Sequence, residues 1–437
     1  MLLPVAAIVL AQTAANAAPP SPKELDRSVA EDVAPYVKYH AFSGVVLVGK
    51  GDDVLLNKAF GNANDEFSVP NTPDTRFQIG SISKRFTFVV VMHLVNEKKL
   101  GLGDTLSKWV PDFPSADKIT IAYLLNHHSG IQDPDKLRGI IRRNFTTADV
   151  VDAIKTQPLD SVPGSKYSYT TANYAVLAHI IERVTGDSYA DVVKKYVYDP
   201  AGMRDSGELS TTTVVPRLAN GYMPDPFSNG LSVCGPEDTS WKTGGGASYS
   251  TTRDLMRFAR AYSTTLLTKE ERAAWDTEDE NTTLLERNVT ESGGSSPGLN
   301  AMINYFPGDE MTVVVLANNS SPVARTIARD VAAMYFREKY TVPSVTLAPG
   351  KPFDARLLRG YAIEGRDFTF DIKLHDGKPF VRWGPTRWEA MLPEGENRWF
   401  LPLDFAHLTL RLDDNGQLAE GTMTASWSRT PMKIIAR

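Results

Sequence analysis

The chain has 437 residues, too many for one small core, and its 42% hydrophobic and 23% charged content is that of an ordinary globular protein. Lys+Arg 47 against Asp+Glu 52 leaves a net charge of −5, which carries no basic footprint for nucleic acid. The single cysteine, Cys234, excludes an intramolecular disulfide framework, so packing must supply the stability and Cys234 itself reads as a small buried hydrophobe.

In chain order, residues 1–17 join an apolar run to the small-x-small site Ala15-Asn16-Ala17. This predicts a cleaved signal peptide, a periplasmic or secreted destination, and no stable membrane span after cleavage. No Lys or Arg precedes the run, so a retained anchor is the competing reading. Next, "FSGVVLVGKG" and "DVLLNKAFGNAND" meet at Gly51-Asp52-Asp53 as an antiparallel hairpin. A helix over residues 83–99 follows; it is apolar on nearly every side and is stopped by Lys98, Lys99 and Gly101. A helix with no polar face is buried between layers.

Downstream, "ITIAYLLNHHSGI" reads as a short helix and "TANYAVLAHIIERVTG" as a longer one ended by Gly186. Another begins at "STTRDLMRFARAY", where Thr251 and Asp254 form a capping box. "LNAMINYF", the turn "PGDE" and "MTVVVLANN" give a second antiparallel pair, followed by the helix "VARTIARDVAAMYFRE". Strands at both ends with helices between imply a sheet assembled from distant parts of the chain. Beyond "TVPSVTLAPGKP", alternation at Phe368, Phe370, Ile372 and Leu374, and again at Leu408, Leu410 and Leu412, predicts a small all-β domain over residues 353–437, a barrel or half-barrel.

The chemistry starts at Ser81-Ile82-Ser83-Lys84. This spacing puts both side chains on one face of a helix's first turn, beside the free amides and the positive end of the dipole. Burial and the dipole would depress the lysine pKa so that a neutral amine can take the serine proton, and the Ser81 amide can donate to an oxyanion. The same spacing recurs at Ser115-Ala116-Asp117-Lys118, but in a Pro- and Asp-rich loop. The bland alternative for Ser81 is an N-cap with a snorkelling lysine.

The stretch "NTPDTRFQIGSISKRFTFVVVMHLVNEKKLGLGDTLSKWVPDFPSADKITIAYLLNHHSGI", with "PGSKYSYTTANYAVLAHIIERVTGDSY", "GGGASYSTTRDLMRFARAY" and "SGGSSPGLNAMINYFPGDEMTVVVLANN", closely resembles the β-lactamase-like serine hydrolases. That superfamily includes class C β-lactamases, D,D-peptidases, D-aminopeptidases, penicillin-binding proteins and related esterases. The resemblance implies an α+β fold, an antiparallel sheet flanked by helices with an all-α region, over residues 25–340, and an acyl-enzyme mechanism that needs no cofactor. It implies Ser81 as nucleophile, Lys84 as its base and Tyr169 as a partner in proton transfer. Thr171 stands where the family's Tyr-x-Asn motif places a substrate-binding asparagine, and a hydroxyl cannot offer a carboxamide's donor and acceptor together. Asn173 is a possible substitute, though a role at the helix start is the blander reading.

The family's third motif, Lys-Thr-Gly or His-x-Gly, lies on a strand beside the nucleophile. The literal Lys242-Thr243-Gly244 runs into a helix and is set aside; Ser292-Gly293-Gly294-Ser295 has the right context, with Glu291 the worse register. The resemblance then makes the Ser295 amide the second oxyanion donor and Ser292, Gly293 and Gly294 the substrate-binding edge. With Ser292 in the cationic position, a substrate carboxylate loses a charge-assisted bond worth about 1.5–3 kcal/mol, whereas a neutral ester loses nothing. Gly294 to Gly298 also fits Gly-x-Ser-x-Gly, but a strand follows instead of a helix. The histidines show no metal spacing.

The expected function is thus hydrolysis of a small-molecule carboxylic ester, or a D-amino-acid peptide or amide, cell-wall-derived material being one source. The competing expectation is a non-catalytic, penicillin-binding-protein-like module that kept the fold and lost turnover.

Overall fold

The computed structural model describes residues 18–437 apart from 135–136, 138–143, 211, 229, 236–237, 275–281, 350–351 and 385–386. The expected signal segment lies outside the described residues. The chain divides into two compact units, one of residues 43–222 and 233–320, the other of the preceding segment, 223–232 and 321–437.

The first unit is built on a six-stranded antiparallel sheet in the order Thr282–Leu284, Arg287–Ser296, Leu299–Phe306, Met311–Ala317, Gly44–Lys50, Asp53–Phe60. The early hairpin and the late one therefore meet at the centre, where Gly44 pairs with Ala317 and Lys50 with Met311. Every residue of Met311–Ala317 is buried, which is why "MTVVVLA" is a continuous apolar run and does not alternate. A Cβ on Gly44 would stand 1.9 Å from the Leu316 carbonyl oxygen, so only glycine fits that close approach.

The Ser83–Asn96 helix is buried from Ser83 to Met92, with Phe86 edge-on to Phe258 at 4.7 Å and to Tyr198 at 5.4 Å. It ends three residues before the expected Lys99. Lys98 takes a left-handed φ of 58°, and the amides of Lys99 and Leu100 turn back to the Leu94 carbonyl, so lysine does the work expected of a glycine. The Thr252–Ala261 helix also departs from expectation. Thr251 accepts from the Asp254 amide, but the Asp254 carboxylate does not reach back; it takes the Asp205 amide at 2.6 Å and Ser206 Oγ at 2.9 Å.

The second unit holds the Pro22–Lys38 helix, the Ala324–Tyr335 helix and a nine-stranded antiparallel sheet. The sheet runs from Arg387–Ala390 at one edge to Leu392–Pro393 at the other. Only Met391 separates those two edge strands in sequence, so the sheet curls until its edges nearly meet, giving the expected barrel-like domain. Tyr361, Ile372, Val381, Leu401, Leu408 and Leu410 fill its interior. The Pro22–Lys38 helix is absent from the sequence expectations, although its capping box between Ser21 and Glu24 was readable.

Candidate active site

The residues before the nucleophile are fixed by backbone pairing. Phe77–Gln78 pairs with Ser248–Ser250, and the Ile79 amide donates to the Ser248 carbonyl at 3.1 Å. Gly80 then takes a φ of 53°, and a Cβ there would stand 3.0 Å from the Ser295 amide nitrogen. Gly80–Ile82 forms a 3₁₀ turn leading into the Ser83–Asn96 helix, so Ser81 precedes the first α-helical turn that the spacing suggested. Ser83 secures the turn by donating its hydroxyl to the Gly80 carbonyl at 2.7 Å and accepting from the Ser248 amide at 3.3 Å.

Two side chains converge on Ser81. Its Oγ lies 2.7 Å from Tyr169 OH and 3.1 Å from Lys84 Nζ. Lys84 Nζ also donates to the Gly245 carbonyl at 2.7 Å and lies over the Tyr169 ring, 4.8 Å from its centroid. The ammonium form of Lys84 is disfavoured chiefly by burial, against which the negative charge of Asp133 works and with which the positive charge of Lys242 works; the balance lowers the pKa to about 7. A lysine so placed is partly neutral near pH 7 and can accept a proton from Ser81.

Tyr169 is half exposed, and its ring is held by His127, 4.5 Å away between centroids. His127 is 1% exposed, and burial with the nearby Lys84 charge lowers its pKa to about 3. The neutral ring matches its partners, because the Thr170 amide and Asn173 Nδ2 both lie 3.3 Å from Nδ1. Asn173 is fully buried between His127 and Ser129, whose hydroxyl donates to Asn173 Oδ1 at 2.6 Å, so it does not substitute for the missing motif asparagine. Thr171 starts the Ala172–Thr185 helix, and its methyl lies 2.8 Å from where a Cβ on Gly245 would be.

The Arg287–Ser296 strand passes backbone to backbone against the nucleophile turn. A Cβ on Gly294 would lie 1.9 Å from the Ile79 carbonyl oxygen and 3.1 Å from the Ser81 amide nitrogen. The Ser81 amide nitrogen thus lies beside Gly294 and the Ser295 amide nitrogen beside Gly80, across one close backbone contact. Gly293 is exposed on the strand's other face.

Ser292 differs from the expectation of a substrate-facing residue. It is 6% exposed, and its hydroxyl takes the hydrogen bond of Arg85 Nε, while the same guanidinium donates to the Glu291 carbonyl at 2.6 Å. The side chain faces the helix because the pleat puts it on the same side as Gly294.

Lys242 is not on a strand edge but in the 3₁₀ turn Ser240–Lys242, so its Lys-Thr-Gly string is not the third motif. The segment nevertheless reaches the site, with Gly245 bonded to Lys84 and Lys242 Nζ 3.5 Å from Ser296 Oγ. Sequence reasoning missed this, and the glycine run after Lys242, which lets the loop lie against Tyr174 and Thr171, was the available signal. Ser115 has a φ of 56° in a loop, and Gly294 to Gly298 ends in a strand turn, so neither offers a second nucleophile. Cys234 is half-buried, its Sγ 3.6 Å from Ser320 Oγ, and lines a cavity where a core position was expected. Among the described residues no cluster of His, Cys, Asp and Glu could hold a metal.

The family model described as Beta-lactamase matches residues 25–335. The teichoic acid D-alanine hydrolase of Staphylococcus aureus (strain MRSA252) is 30% identical over 240 residues, covering 55% of this chain and 57% of that protein. The chain spans a little over half the length of the curated relatives such as this one. Among solved structures, the penicillin binding protein from Bacillus halodurans matches at 26% identity and a TM-score of 0.58, covering 70% of this chain and 97% of that one. The octameric penicillin-binding protein homologue from Pyrococcus abyssi shares the fold across 92% of this chain and 96% of its own, at 23% identity and a TM-score of 0.62.

Proposed function

The chain belongs to the Beta-lactamase family, and from that premise we propose that it is an exported serine hydrolase acting through an acyl-enzyme on a carboxylic ester or a D-amino-acid amide or peptide. One observation carries the proposal: Lys84 Nζ and Tyr169 OH both lie within hydrogen-bond reach of Ser81 Oγ, and the lysine is held near neutrality by burial.

In the first half-reaction Lys84 takes the Ser81 proton as Oγ bonds to the substrate carbonyl carbon, and the Ser81 and Ser295 amides hold the oxyanion. Collapse breaks the bond to the leaving group, which departs with the proton relayed through Lys84 and Tyr169. In the second, water loses its proton to the same pair, attacks the acyl carbon and releases the acid and free Ser81. His127 orients Tyr169. Thr171 at the helix start and Gly293 on the exposed strand edge are the proposed substrate-binding positions, and Gly294 holds the approach open.

A neutral ester is the first choice of substrate. Ser292 carries no charge and its hydroxyl is already taken by Arg85, so that position holds no cation for a substrate carboxylate. The D-amino-acid reading rests on the similarity to a D-alanine hydrolase. A non-catalytic binding module is disfavoured, because such a module has little use for a lysine desolvated beside a serine. Export is supported by the apolar run and the Ala15-Asn16-Ala17 site.

Labelling with a fluorophosphonate probe tests the assignment. Wild type and Ser115→Ala are expected to label, and Ser81→Ala is expected not to. Labelling that persists in Ser81→Ala would move the nucleophile elsewhere, and an unlabelled wild type would favour the binding module.

A further inference from the structure

Lys242 is fixed by its own turn. Its amide donates to the Thr239 carbonyl at 2.8 Å, and its carbonyl accepts from the Gly245 and Gly246 amides, each at 2.8 Å. The same turn aims the Gly245 carbonyl at Lys84, so the placement of Lys242 is tied to that of the catalytic base. Its ammonium lies 3.5 Å from Ser296 Oγ, one residue beyond the oxyanion donor Ser295. At about 3.3 Å per residue, Ser296 stands some 3 Å past Ser295, while Ser292 lies roughly 10 Å the other way. The charge missing at Ser292 in mid-strand is thus supplied at the strand's last residue, on the other side of Ser295.

That end is also where the room is. A cavity of about 680 Å³, mostly apolar, is lined by Gln78, Leu218, Thr239, Pro297, Gly298 and Leu299. The acyl group stays bonded to Ser81 until water releases it, so it needs a formed pocket, whereas the leaving group departs into solvent. Of the lining residues, Pro297 directly follows Ser296 and Thr239 accepts from the Lys242 amide, so an acyl chain directed from Ser81 into this cavity would run close to Ser296 and Lys242.

Resting on the hydrolase reading, we propose that Lys242 is a specificity-determining residue that selects acyl groups bearing a carboxylate, the half-esters of dicarboxylic acids, over uncharged acyl groups of the same length. The carboxylate accepts a charge-assisted hydrogen bond from the ammonium on the side of Ser296. An acyl group carrying an α-ammonium, as an aminoacyl substrate does, meets repulsion at the same point, which places D-aminoacyl substrates behind simple esters.

The test compares p-nitrophenyl half-esters of succinate, glutarate and adipate with p-nitrophenyl butyrate, valerate and hexanoate, on wild type, Lys242→Gln and Lys242→Arg at one pH. The readout is the kcat/KM ratio of each charged ester to its uncharged counterpart. Any effect of Lys242 on the Lys84 base cancels in that ratio, because both esters use the same Ser81 and Lys84. Wild type should favour the charged ester of at least one length by about tenfold, from a charge-assisted bond of ~1.5 kcal/mol. Lys242→Gln should lose that preference and Lys242→Arg should keep it. Ratios unchanged by Lys242→Gln at all three lengths overturn the role of Lys242 and leave the hydrolase standing. No turnover of any ester by wild type overturns the hydrolase reading and this inference with it.

Discussion

On the proposed mechanism Lys84 sets the working pH of the site. Its reactive form is the neutral amine, so kcat/KM for an uncharged ester should rise with pH through about 7 and level off above it. The charges of Asp133 and Lys242 bear on it, and Nζ also meets Ser81 Oγ, the Gly245 carbonyl and the Tyr169 and Tyr174 rings. Removing the Lys242 charge in Lys242→Gln should move the midpoint up, since a nearby positive charge favours the neutral amine. Removing the Asp133 charge in Asp133→Asn should move it down. A pH–rate profile unmoved by either substitution would dissociate Lys84 from the rate. The same depressed pKa bears on stability: between about pH 7 and 10.5 the unfolded chain holds a proton that the folded lysine does not. The fold is therefore handicapped below pH 7 and recovers as pH rises toward 10.5. Lys84→Met should lose about 10³-fold or more in kcat, yet gain on wild type in urea midpoint at pH 7, with the gain shrinking by pH 10. Of these residues, Ser81 and Lys84 were legible because their spacing is local. The positions of Gly245 and Ser292 were not, because they meet Lys84 and Arg85 across 161 and 207 residues of chain.

At the scale of elements, the proposed oxyanion site depends on a strand pressed against a turn. The Arg287–Ser296 strand can approach Ile79 and Ser81 only because Gly294 has no side chain. Gly294→Ala puts a methyl group within 1.9 Å of backbone that cannot rotate away, so strand or turn must shift. We expect about 1–3 kcal/mol of lost stability by denaturant titration, together with a loss of kcat as the Ser295 amide leaves the Ser81 amide. Gly293→Ala, where an added Cβ meets only ordinary contacts at 3.7 and 3.9 Å, is the control for the stability effect; an equal loss of stability in both would remove the close approach as its cause. The elements themselves were mostly readable. Continuous apolar runs marked the central strands and the buried helix. The early stop at Asn96 was not readable, since it depends on Lys98 adopting a backbone conformation that its side chain does not favour.

At the scale of the molecule, two units with separate cores invite a separation of function from stability. In the barrel-like sheet, Glu389 is 1% exposed, accepts from the Asp404 amide at 2.8 Å and from Trp383 Nε1 at 3.2 Å, and lies near the Asp404 carboxylate. Burial first, and the Asp404 charge second, push its carboxyl well above the usual range. The proton is held more tightly in the folded state, so this group's contribution is complete below about pH 4.5 and is lost as pH rises through the folded pKa. Glu389→Gln should raise the urea midpoint of the barrel at pH 9, followed by the fluorescence of Trp383, Trp388, Trp399 and Trp427, and leave ester hydrolysis unchanged. A midpoint equal to wild type at pH 9 would show that Glu389 ionises without consequence. By itself the sequence determined the fold class, both β systems and the Ser81–Lys84 pair, because periodicity, turn residues and first-turn spacing act over short stretches of chain. Only the tertiary structure decided that Ser292 turns to Arg85, that His127 braces Tyr169 and that Lys242 brings a cation to the far end of the strand. Those contacts arise when segments remote in sequence close around the nucleophile, and no local pattern encodes such distances.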